Sequence, residues 1–398
     1  MAKKKWLRFR HKVVRNLAYI LLYPYARIRY GIKIEKFKQQ NGRPYLILLN
    51  HQTPFDQFFV GMAFKGAVYY MATEDIFSLG WLSKVIRWLV APIPIKKQTT
   101  DAAAVMTCIR VAREGGTICI APEGNRTYSG RTEYMNAAIA GLAKKMKLPI
   151  ALFRLEGGYG VEPRWTDKLR KGKMRGYVAE VIEPEEYASM TNEQLIERIR
   201  DGLYVDEAKA DGLFKSKRRA EYLERAIYIC PDCGLSTFES SGNEITCKTC
   251  GKTVLYGEDK TLTGVGFDFP FPFVAQWYDY QKDYVNQLDV LSHVDEPLYE
   301  DHAELRNVIV YKKKELLRAD ARLRLYGNRI TVDEDLELPF EEVSAISVLG
   351  RNKLNIYHGD RVYQLKGDKR FNALKYVHIY YRHKNITRGE EDVKFLGL

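Results

Sequence analysis

Four cysteines arranged in two close pairs constrain the fold of this chain more than any other feature of its sequence. The pairs lie 13 residues apart and a glycine follows each of them, in Cys230-Pro-Asp-Cys233-Gly and Cys247-Lys-Thr-Cys250-Gly. Two knuckles of this spacing bring four thiolates to one point, which is the ligand set of a tetrahedral structural zinc site. The pattern predicts zinc held by all four cysteines, with no coordination position left for catalysis. Disulfides and iron are the alternatives.

Residues 41–215, before the cysteines, alternate between short apolar runs and amphipathic stretches. The sequence predicts strands over Tyr45–Leu49, Ala67–Met71, Thr117–Ala121, Pro149–Phe153 and Gly176–Ile182. It predicts helices over Pro54–Phe64, Trp81–Leu89, Ala102–Glu114, Ala137–Met146 and Asn192–Gly202. Strands that alternate with helices are typical of an α/β domain with a mostly parallel sheet. We therefore expect one such domain over these residues.

After the two cysteine pairs the sequence becomes rich in aromatic residues and then in predicted β-strands. Residues 225–260 resemble a zinc ribbon. Residues 261–305 are expected to form an aromatic-rich linker or helix that is part of the core, with a dimer contact or a second membrane contact as alternatives. Residues 306–385 contain short runs separated by Gly-Asn and Gly-Asp turns and end in a predicted helix. This outline resembles a pleckstrin-homology or GRAM-like module, a likeness that adds little about function.

The positive charge of the chain is concentrated at one end. The 398 residues carry a net charge of +13, from 63 Lys and Arg against 50 Asp and Glu. Residues 1–40 hold 12 of these basic residues and a single acid, Glu35. Val13, Leu17 and Ile20 recur at helical spacing among the cations, so we expect a basic amphipathic helix that docks on anionic membrane lipids. The alternative is a helix that packs on its own domain and leaves its charges in water.

The longest apolar run does not look like a membrane span or an export signal. It covers Leu17–Ala26 and contains Pro24, whereas a spanning helix needs about 20 apolar residues. Basic residues follow it instead of a cleavage site. We therefore expect a peripheral or monotopic protein at the cytoplasmic face of the membrane, where cysteines bind metal or stay free.

A histidine and an aspartate follow the first strand of the α/β region, in Asn50-His51-Gln52-Thr53-Pro54-Phe55-Asp56. Imidazole transfers protons near neutral pH, and a carboxylate can fix its tautomer. Thr53 and Pro54 suit the start of a helix, which would leave His51 in the preceding turn, free to fold back on Asp56. The alternative is that Asp56 only caps the helix, in a capping box with Thr53.

A second polar segment follows the strand predicted at Thr117–Ala121, in Pro122-Glu123-Gly124-Asn125-Arg126-Thr127. An arginine at the carboxyl end of a strand can hold a phosphate through two hydrogen bonds, and a glycine lets the backbone come close. Taken alone, this segment is better interpreted as a surface turn with a salt bridge.

Together and in this order, the segments resemble the glycerolipid acyltransferase family, which includes 1-acyl-sn-glycerol-3-phosphate acyltransferases. That family carries N-H-x-x-x-x-D, a segment like Pro92-Ile93-Pro94-Ile95-Lys96-Lys97, a Pro-Glu-Gly-x-Arg block and a strand led by proline, here Pro149-Ile150-Ala151-Leu152. The resemblance covers about residues 40–215. It implies that His51 is the general base and Asp56 its orienting partner. It also implies a phosphate-binding set of Lys97, Glu123, Gly124, Asn125 and Arg126.

Two positions depart from the family pattern. Asn125 stands where the family usually has threonine. Lys96 and Lys97 stand where it commonly has an acid followed by arginine, and Lys97 keeps the positive charge but loses the planar fork. These departures bear on the acceptor more than on the reaction type.

The resemblance implies transfer of a fatty acyl group from acyl-CoA or acyl carrier protein to the free hydroxyl of lysophosphatidic acid, giving phosphatidic acid without a catalytic metal. Glycerol 3-phosphate or another lysophospholipid is the alternative acceptor. Two other classes of protein are possible from the sequence. One is a zinc-ribbon protein that binds nucleic acid, which the remote position of the charge disfavours; the other is a lipid-binding scaffold without activity.

Overall fold

The computed structural model describes residues 5–95, 101–309 and 312–389. The predicted phosphate ligand Lys97 lies outside these ranges. The helices are α1 (Phe9–Arg29), α2 (Asp56–Ala63), α3 (Glu74–Phe77), α4 (Trp81–Val90), α5 (Ala102–Arg113), α6 (Ala138–Met146), α7 (Gly158–Val161), α8 (Pro184–Ala188), α9 (Asn192–Leu203), α10 (Val274–Gln287) and α11 (Leu374–Arg388).

The strands fall into a first group before the cysteines and a longer series after them. The first group is β1 (Ile32–Ile34), β2 (Leu46–Leu49), β3 (Val68–Thr73), β4 (Ile93–Ile95), β5 (Thr117–Ile120), β6 (Ile150–Glu156) and β7 (Met174–Ile182). The series is β8 (Ile229–Cys230), β9 (Gly234–Leu235), β10 (Phe238–Ser241), β11 (Glu244–Cys247), β12 (Thr253–Tyr256), β13 (Leu262–Gly264), β14 (Tyr299–Asn307), β15 (Glu315–Leu325), β16 (Arg329–Val332), β17 (Leu336–Pro339), β18 (Val343–Leu349), β19 (Lys353–His358) and β20 (Arg361–Gly367).

The first part of the chain folds around a seven-stranded sheet with the order β1-β7-β6-β2-β5-β3-β4. All neighbouring strands in it are parallel except β6 and β7. This confirms the predicted α/β region with a mostly parallel sheet. Because β2 pairs with β5 on one side and β6 on the other, the carboxyl ends of these three strands meet at one edge.

Helices cover both faces of this sheet. Leu46 and Leu48 of β2 face a core built with α5, α6 and α9, whereas Ile47 and Leu49 face a second core built with α1 and α2. Successive residues of a strand point to opposite faces, so a strand buried on both faces needs an unbroken apolar run. The continuous apolar run of β2 is therefore the pattern from which the sequence predicts this strand.

Helix α1 contacts its own domain and leaves most of its surface open. The guanidinium of Arg15 donates to Phe64 O and, from Nε at 3.1 Å, to Gly61 O, both near the end of α2. Only His11 and Ala26 of the helix are buried. Within the part of the chain that the structure describes, no helix is long and apolar enough to cross a membrane.

The cysteine unit (residues 229–264), α10 and the C-terminal unit (residues 299–388) share one hydrophobic core. Ile245 of β11, Trp277 of α10 and Leu323 of β15 belong to the same cluster of buried residues. The aromatic segment around α10 therefore packs against this core. The sequence did not reveal that this core is common to both units, because their apolar residues lie far apart in the chain.

The C-terminal unit is a second seven-stranded sheet, with the order β17-β16-β15-β14-β20-β19-β18, followed by α11. Its strand pairs are antiparallel. Strand β14 begins at Tyr299 and crosses the boundary predicted at residue 306. It escaped prediction because charged residues on its open face interrupt the apolar pattern. The pleckstrin-homology or GRAM-like likeness stays a prediction.

Candidate active site

A buried asparagine holds the segment that follows β2. Asn50 Nδ2 donates to Leu155 O at 2.8 Å, and Leu155 N donates to Asn50 Oδ1 at 2.7 Å. These two bonds link the ends of β2 and β6 and leave His51 in a turn before α2, as predicted. The helix itself begins at Asp56, two residues later than expected.

His51 and Asp56 are in direct contact. Nδ1 of His51 lies 2.7 Å from Oδ2 of Asp56. The Asp56 side chain is 1% exposed, whereas 27% of the His51 side chain is exposed. Among the described residues, Nε2 of His51 has no hydrogen-bond partner. A buried carboxylate therefore orients an accessible imidazole, the arrangement that proton transfer requires.

Asp56 also holds the turn that carries it. Its Oδ1 accepts from the Thr53 hydroxyl at 2.6 Å, and its Oδ2 accepts from Gln52 N at 2.7 Å. Thr53 N donates to the same carboxylate at 3.0 Å. Because α2 begins at Asp56 and its N-cap is Phe55, without a side-chain cap, these bonds hold the turn before the helix and do not form the capping box that was the alternative.

Glu123 lies behind His51. The Glu123 side chain is buried, and it accepts from His51 N at 2.9 Å and from Glu133 N at 3.1 Å. Burial raises the pKa of Glu123 to about 8, against the lowering effect of these two backbone donors. Thr127 N donates to His51 O at 3.1 Å. The segment after β5 therefore fixes the backbone of His51 from both sides.

Arg126 is buried with an unused donor. It is 9% exposed, and its Nη1 has no hydrogen-bond partner within the described part of the chain. Burial, reinforced by Arg164 and Arg351, lowers the pKa of Arg126 to about 10. Gly124, with φ of +69°, makes the turn that places Arg126 at this edge. A buried guanidinium with a free N–H is suited to a phosphate.

Four further residues complete the surroundings of Arg126 and were not found from the sequence. They are Tyr30, Glu162, Arg164 and Arg351. Tyr30 donates to Glu162 Oε2 at 2.7 Å, and Arg164 Nη2 donates to Asn125 Oδ1 at 3.2 Å. The burial of a charged side chain leaves no local pattern, and Gly350-Arg351-Asn352 predicts only a turn.

An open cavity of about 570 Å³ adjoins this site. Its wall includes Tyr30, Phe55 and Glu162, and basic side chains at Arg29 and Lys217. Phe55 directly precedes Asp56, so one wall of the cavity lies at the start of α2. A wall with aromatic and cationic groups suits a ligand that has apolar and anionic parts.

The four predicted zinc ligands converge. Their Sγ atoms all lie within 4.8 Å of one another, and those of Cys230 and Cys250 are 3.9 Å apart. Tetrahedral zinc with Zn–S bonds of about 2.3 Å requires sulfurs about 3.8 Å apart, whereas a disulfide requires about 2.0 Å. These four cysteines could therefore bind a metal ion.

The site and the sheet define a class of protein: an α/β domain with a histidine–aspartate pair and a buried arginine at the carboxyl edge of parallel strands. Residues 31–152 match the family described as Acyltransferase. A 1-acyl-sn-glycerol-3-phosphate acyltransferase of Bacillus subtilis (strain 168) is 21% identical over 180 residues, which cover 44% of this chain and 86% of that protein. This region is therefore an acyltransferase-like domain, as the resemblance implied.

A solved structure also matches part of the chain. It is the crystal structure of the 1-acyl-sn-glycerophosphate (LPA) acyltransferase from Thermotoga maritima, with 17% identity and a TM-score of 0.42. The match covers 48% of this chain and 78% of that one.

Proposed function

We propose that this protein transfers a fatty acyl group from a thioester donor, acyl-CoA or acyl carrier protein, to the free hydroxyl of lysophosphatidic acid, giving phosphatidic acid. The observation that carries the proposal is the 2.7 Å contact of His51 with Asp56 at the sheet edge where Arg126 lies buried. A base beside an anion-binding cation is what acylation of a phosphorylated alcohol requires. The low-identity similarity to 1-acyl-sn-glycerol-3-phosphate acyltransferases supports this acceptor class.

In the proposed mechanism, His51 is the general base. Asp56 accepts a hydrogen bond from Nδ1–H, which leaves the Nε2 lone pair free to take the proton of the acceptor hydroxyl. The hydroxyl oxygen then attacks the thioester carbonyl, and a tetrahedral intermediate forms. When it collapses, the C–S bond breaks and the imidazolium returns the proton to the leaving thiolate. The products are an ester and a thiol, and no covalent enzyme intermediate is needed.

Arg126 is proposed to bind the acceptor phosphate. Its free Nη1 and its burial support this role, since a charge-assisted hydrogen bond is strong where water is excluded. Glu123 and Asn125, predicted as phosphate-binding residues, use their side-chain oxygens on neighbouring protein groups. We therefore propose that they and Gly124 shape the site around Arg126.

Acyl transfer can be tested directly with purified protein. Incubation with lysophosphatidic acid and either donor is expected to yield phosphatidic acid, detected by mass spectrometry. The Arg126→Gln substitution should lower kcat/KM for lysophosphatidic acid by roughly a hundredfold, the effect of about two hydrogen bonds to a charged group. Arg113→Gln, at the exposed end of α5, is the matched control. Absence of an acylated product with every combination of donor and phosphorylated acceptor would overturn the proposal.

We also propose that the enzyme docks on anionic lipid at the cytoplasmic face of the membrane through residues 1–40 and α4. Large apolar side chains of both helices are exposed, with Leu17 56%, Ile20 66%, Leu21 72%, Trp81 74% and Trp88 58% open to solvent. The two helices touch, since Arg10 Nε donates to Trp88 O at 2.7 Å. Exposed apolar and aromatic groups beside clustered cations are typical of a membrane-surface helix.

Vesicle binding should depend on the apolar face of α4. The double substitution Trp81→Ser and Trp88→Ser is expected to weaken binding to phosphatidylglycerol-containing vesicles by about tenfold to a hundredfold, because each large apolar side chain contributes roughly 1.5 kcal/mol on leaving water. Sedimentation with vesicles measures this. Tyr204→Ser with Leu213→Ser, which removes two other exposed apolar groups, is the control. Equal binding by both double variants would exclude α4 from the docking surface.

A further inference from the structure

The turn between β18 and β19 of the C-terminal unit reaches the candidate active site. Gly350 makes this turn with φ of +64°, and Arg351 follows it. Nη2 of Arg351 donates to Glu162 Oε1 at 2.6 Å, and its Nε lies 3.3 Å from Asp167 Oδ1. A residue about 200 positions beyond the family match at residues 31–152 therefore contributes to the site.

Arg164 ties this turn to the segment of Arg126. Its Nη1 donates to Arg126 O at 2.9 Å, and its Nη2 donates to Val348 O at 3.3 Å. The side chain is 3% exposed and lies 4.2 Å from the centre of the Tyr128 ring. Arg164 is therefore a positioning residue, which fixes the C-terminal unit against the phosphate-binding segment.

Positive charge exceeds negative charge around Arg126. The charged neighbours of Arg126 are two further arginines, Arg164 and Arg351, against the carboxylates of Glu162 and Asp56. Of the nearby acids, Asp167 is paired with Arg225 at 2.8 Å. Within the described ranges Arg126 and Arg164 form no ion pair, and Nη1 of Arg126 has no hydrogen-bond partner. Buried charges of one sign are costly unless a counter-charge is bound, so this cluster favours a multiply charged anion.

The charge of the acceptor differs between two classes of phospholipid. A phosphate monoester, with a second pKa near 6, carries between about 1.5 and 2 negative charges at pH 7. A phosphodiester carries only one. A second cation near Arg126 therefore gains more binding free energy with a monoester than with a diester.

We propose that Arg351 is a specificity-determining residue, through which the C-terminal unit makes the acceptor site select phosphate monoesters over phosphodiesters. Glu162 and Asp167 hold its guanidinium in place, and its charge acts on the phosphate bound at Arg126. The inference rests on the proposed function, since it concerns the acceptor of that reaction. It gives the C-terminal unit a role in substrate choice.

Binding of two unreactive acceptors tests this inference separately from acyl transfer. The probes are a short-chain lysophosphatidic acid that lacks the free hydroxyl and its phosphate methyl ester, which differ mainly by one charge. The unmodified protein is expected to bind the monoester at least about tenfold more tightly, and Arg351→Gln should remove most of that ratio. Arg351→Lys should keep a large part of it, because the charge remains.

Controls separate specificity from folding. Arg322→Gln removes an arginine of the same unit that is paired with Glu300, and it should leave the ratio unchanged. If Arg351→Gln lowers the unfolding temperature strongly, the test compares Glu162→Gln with the double substitution Glu162→Gln, Arg351→Gln. These two variants differ only in the charge of Arg351, and the ratio should be lower in the double variant. A ratio near one in the unmodified protein, or an unchanged ratio in the variant that folds, overturns the inference. Selective binding without any acyl transfer would overturn the proposed function instead.

Discussion

The His51→Ala variant is expected to lose acyl transfer by about a hundredfold to ten-thousandfold in kcat, the range that general-base catalysis contributes. We expect no neighbouring side chain to take over as the base. Asp56 and Glu123 accept hydrogen bonds from backbone N–H groups of the turn, and Thr127 contacts His51 O through its own backbone N–H. Acceptor binding should change little, because Arg126 keeps its place on the segment after β5. A kcat effect with a nearly constant KM is therefore the expected signature.

A second histidine–aspartate pair offers a matched control for this variant. His302 lies 3.1 Å from Asp320, and its side chain is 66% exposed on the C-terminal unit. The His302→Ala variant removes the same group from a pair outside the sheet edge and should retain full activity. Undiminished kcat in His51→Ala, with substrate saturating and the fold intact, would rule out His51 as the base.

The Asp56→Asn variant changes two contacts at once, the one with His51 and the one with the backbone of the turn. The amide oxygen can still accept from Gln52 N or Thr53 N, but an amide does not stabilise the imidazolium that forms in the reaction. We expect activity to fall in this variant as well. Thermal unfolding shows how much of the loss comes from the turn.

The elements that place His51 and Arg126 could be predicted because their signals are local. β2 and β5 are short, continuous apolar runs, and each ends at a polar segment, so their parallel pairing alone brings the two segments to one edge. The apolar residues of α5 and α9 recur at helical spacing, which predicts both helices. Thr53 and Pro54 predict a turn after His51, and this turn allows His51 to fold back on Asp56.

The surroundings of the site could not be predicted, because they depend on contacts between distant parts of the chain. Glu162 accepts hydrogen bonds from Tyr30 and Arg351, which lie 132 and 189 residues away from it in the sequence. A buried charged side chain carries no sequence signal when its partner lies in another unit. The helix at Trp81–Leu89 was predicted, but its exposure depends on α1, which covers it only in part.

We expect the four cysteines to hold one zinc ion, and we expect its removal to have the largest effect on stability, because the first knuckle has little regular structure of its own. β8 and β9 are two residues long, and besides the sulfurs the knuckles are joined by an exposed ion pair of Lys252 with Asp232 at 2.8 Å. Zinc-finger peptides gain an apparent 10–16 kcal/mol from zinc, as much as a whole domain gains on folding. A strong chelator should therefore release about one zinc per chain and lower the unfolding temperature markedly.

Hydrogen exchange can locate this effect, and two other cysteines provide the control. Cys108 and Cys119 are buried in the cores of the acyltransferase-like domain, so Cys108→Ala and Cys119→Ala should retain zinc, whereas Cys230→Ser should lose it. Faster exchange is expected in the cysteine unit and, through their shared core, in β14 and β15, with β2 protected. Because Arg351 belongs to the unit that loosens, selectivity for the phosphate monoester should fall together with zinc content. Metal analysis that finds no zinc in the purified protein, or exchange unchanged by chelation, would show that apolar contacts alone hold this unit.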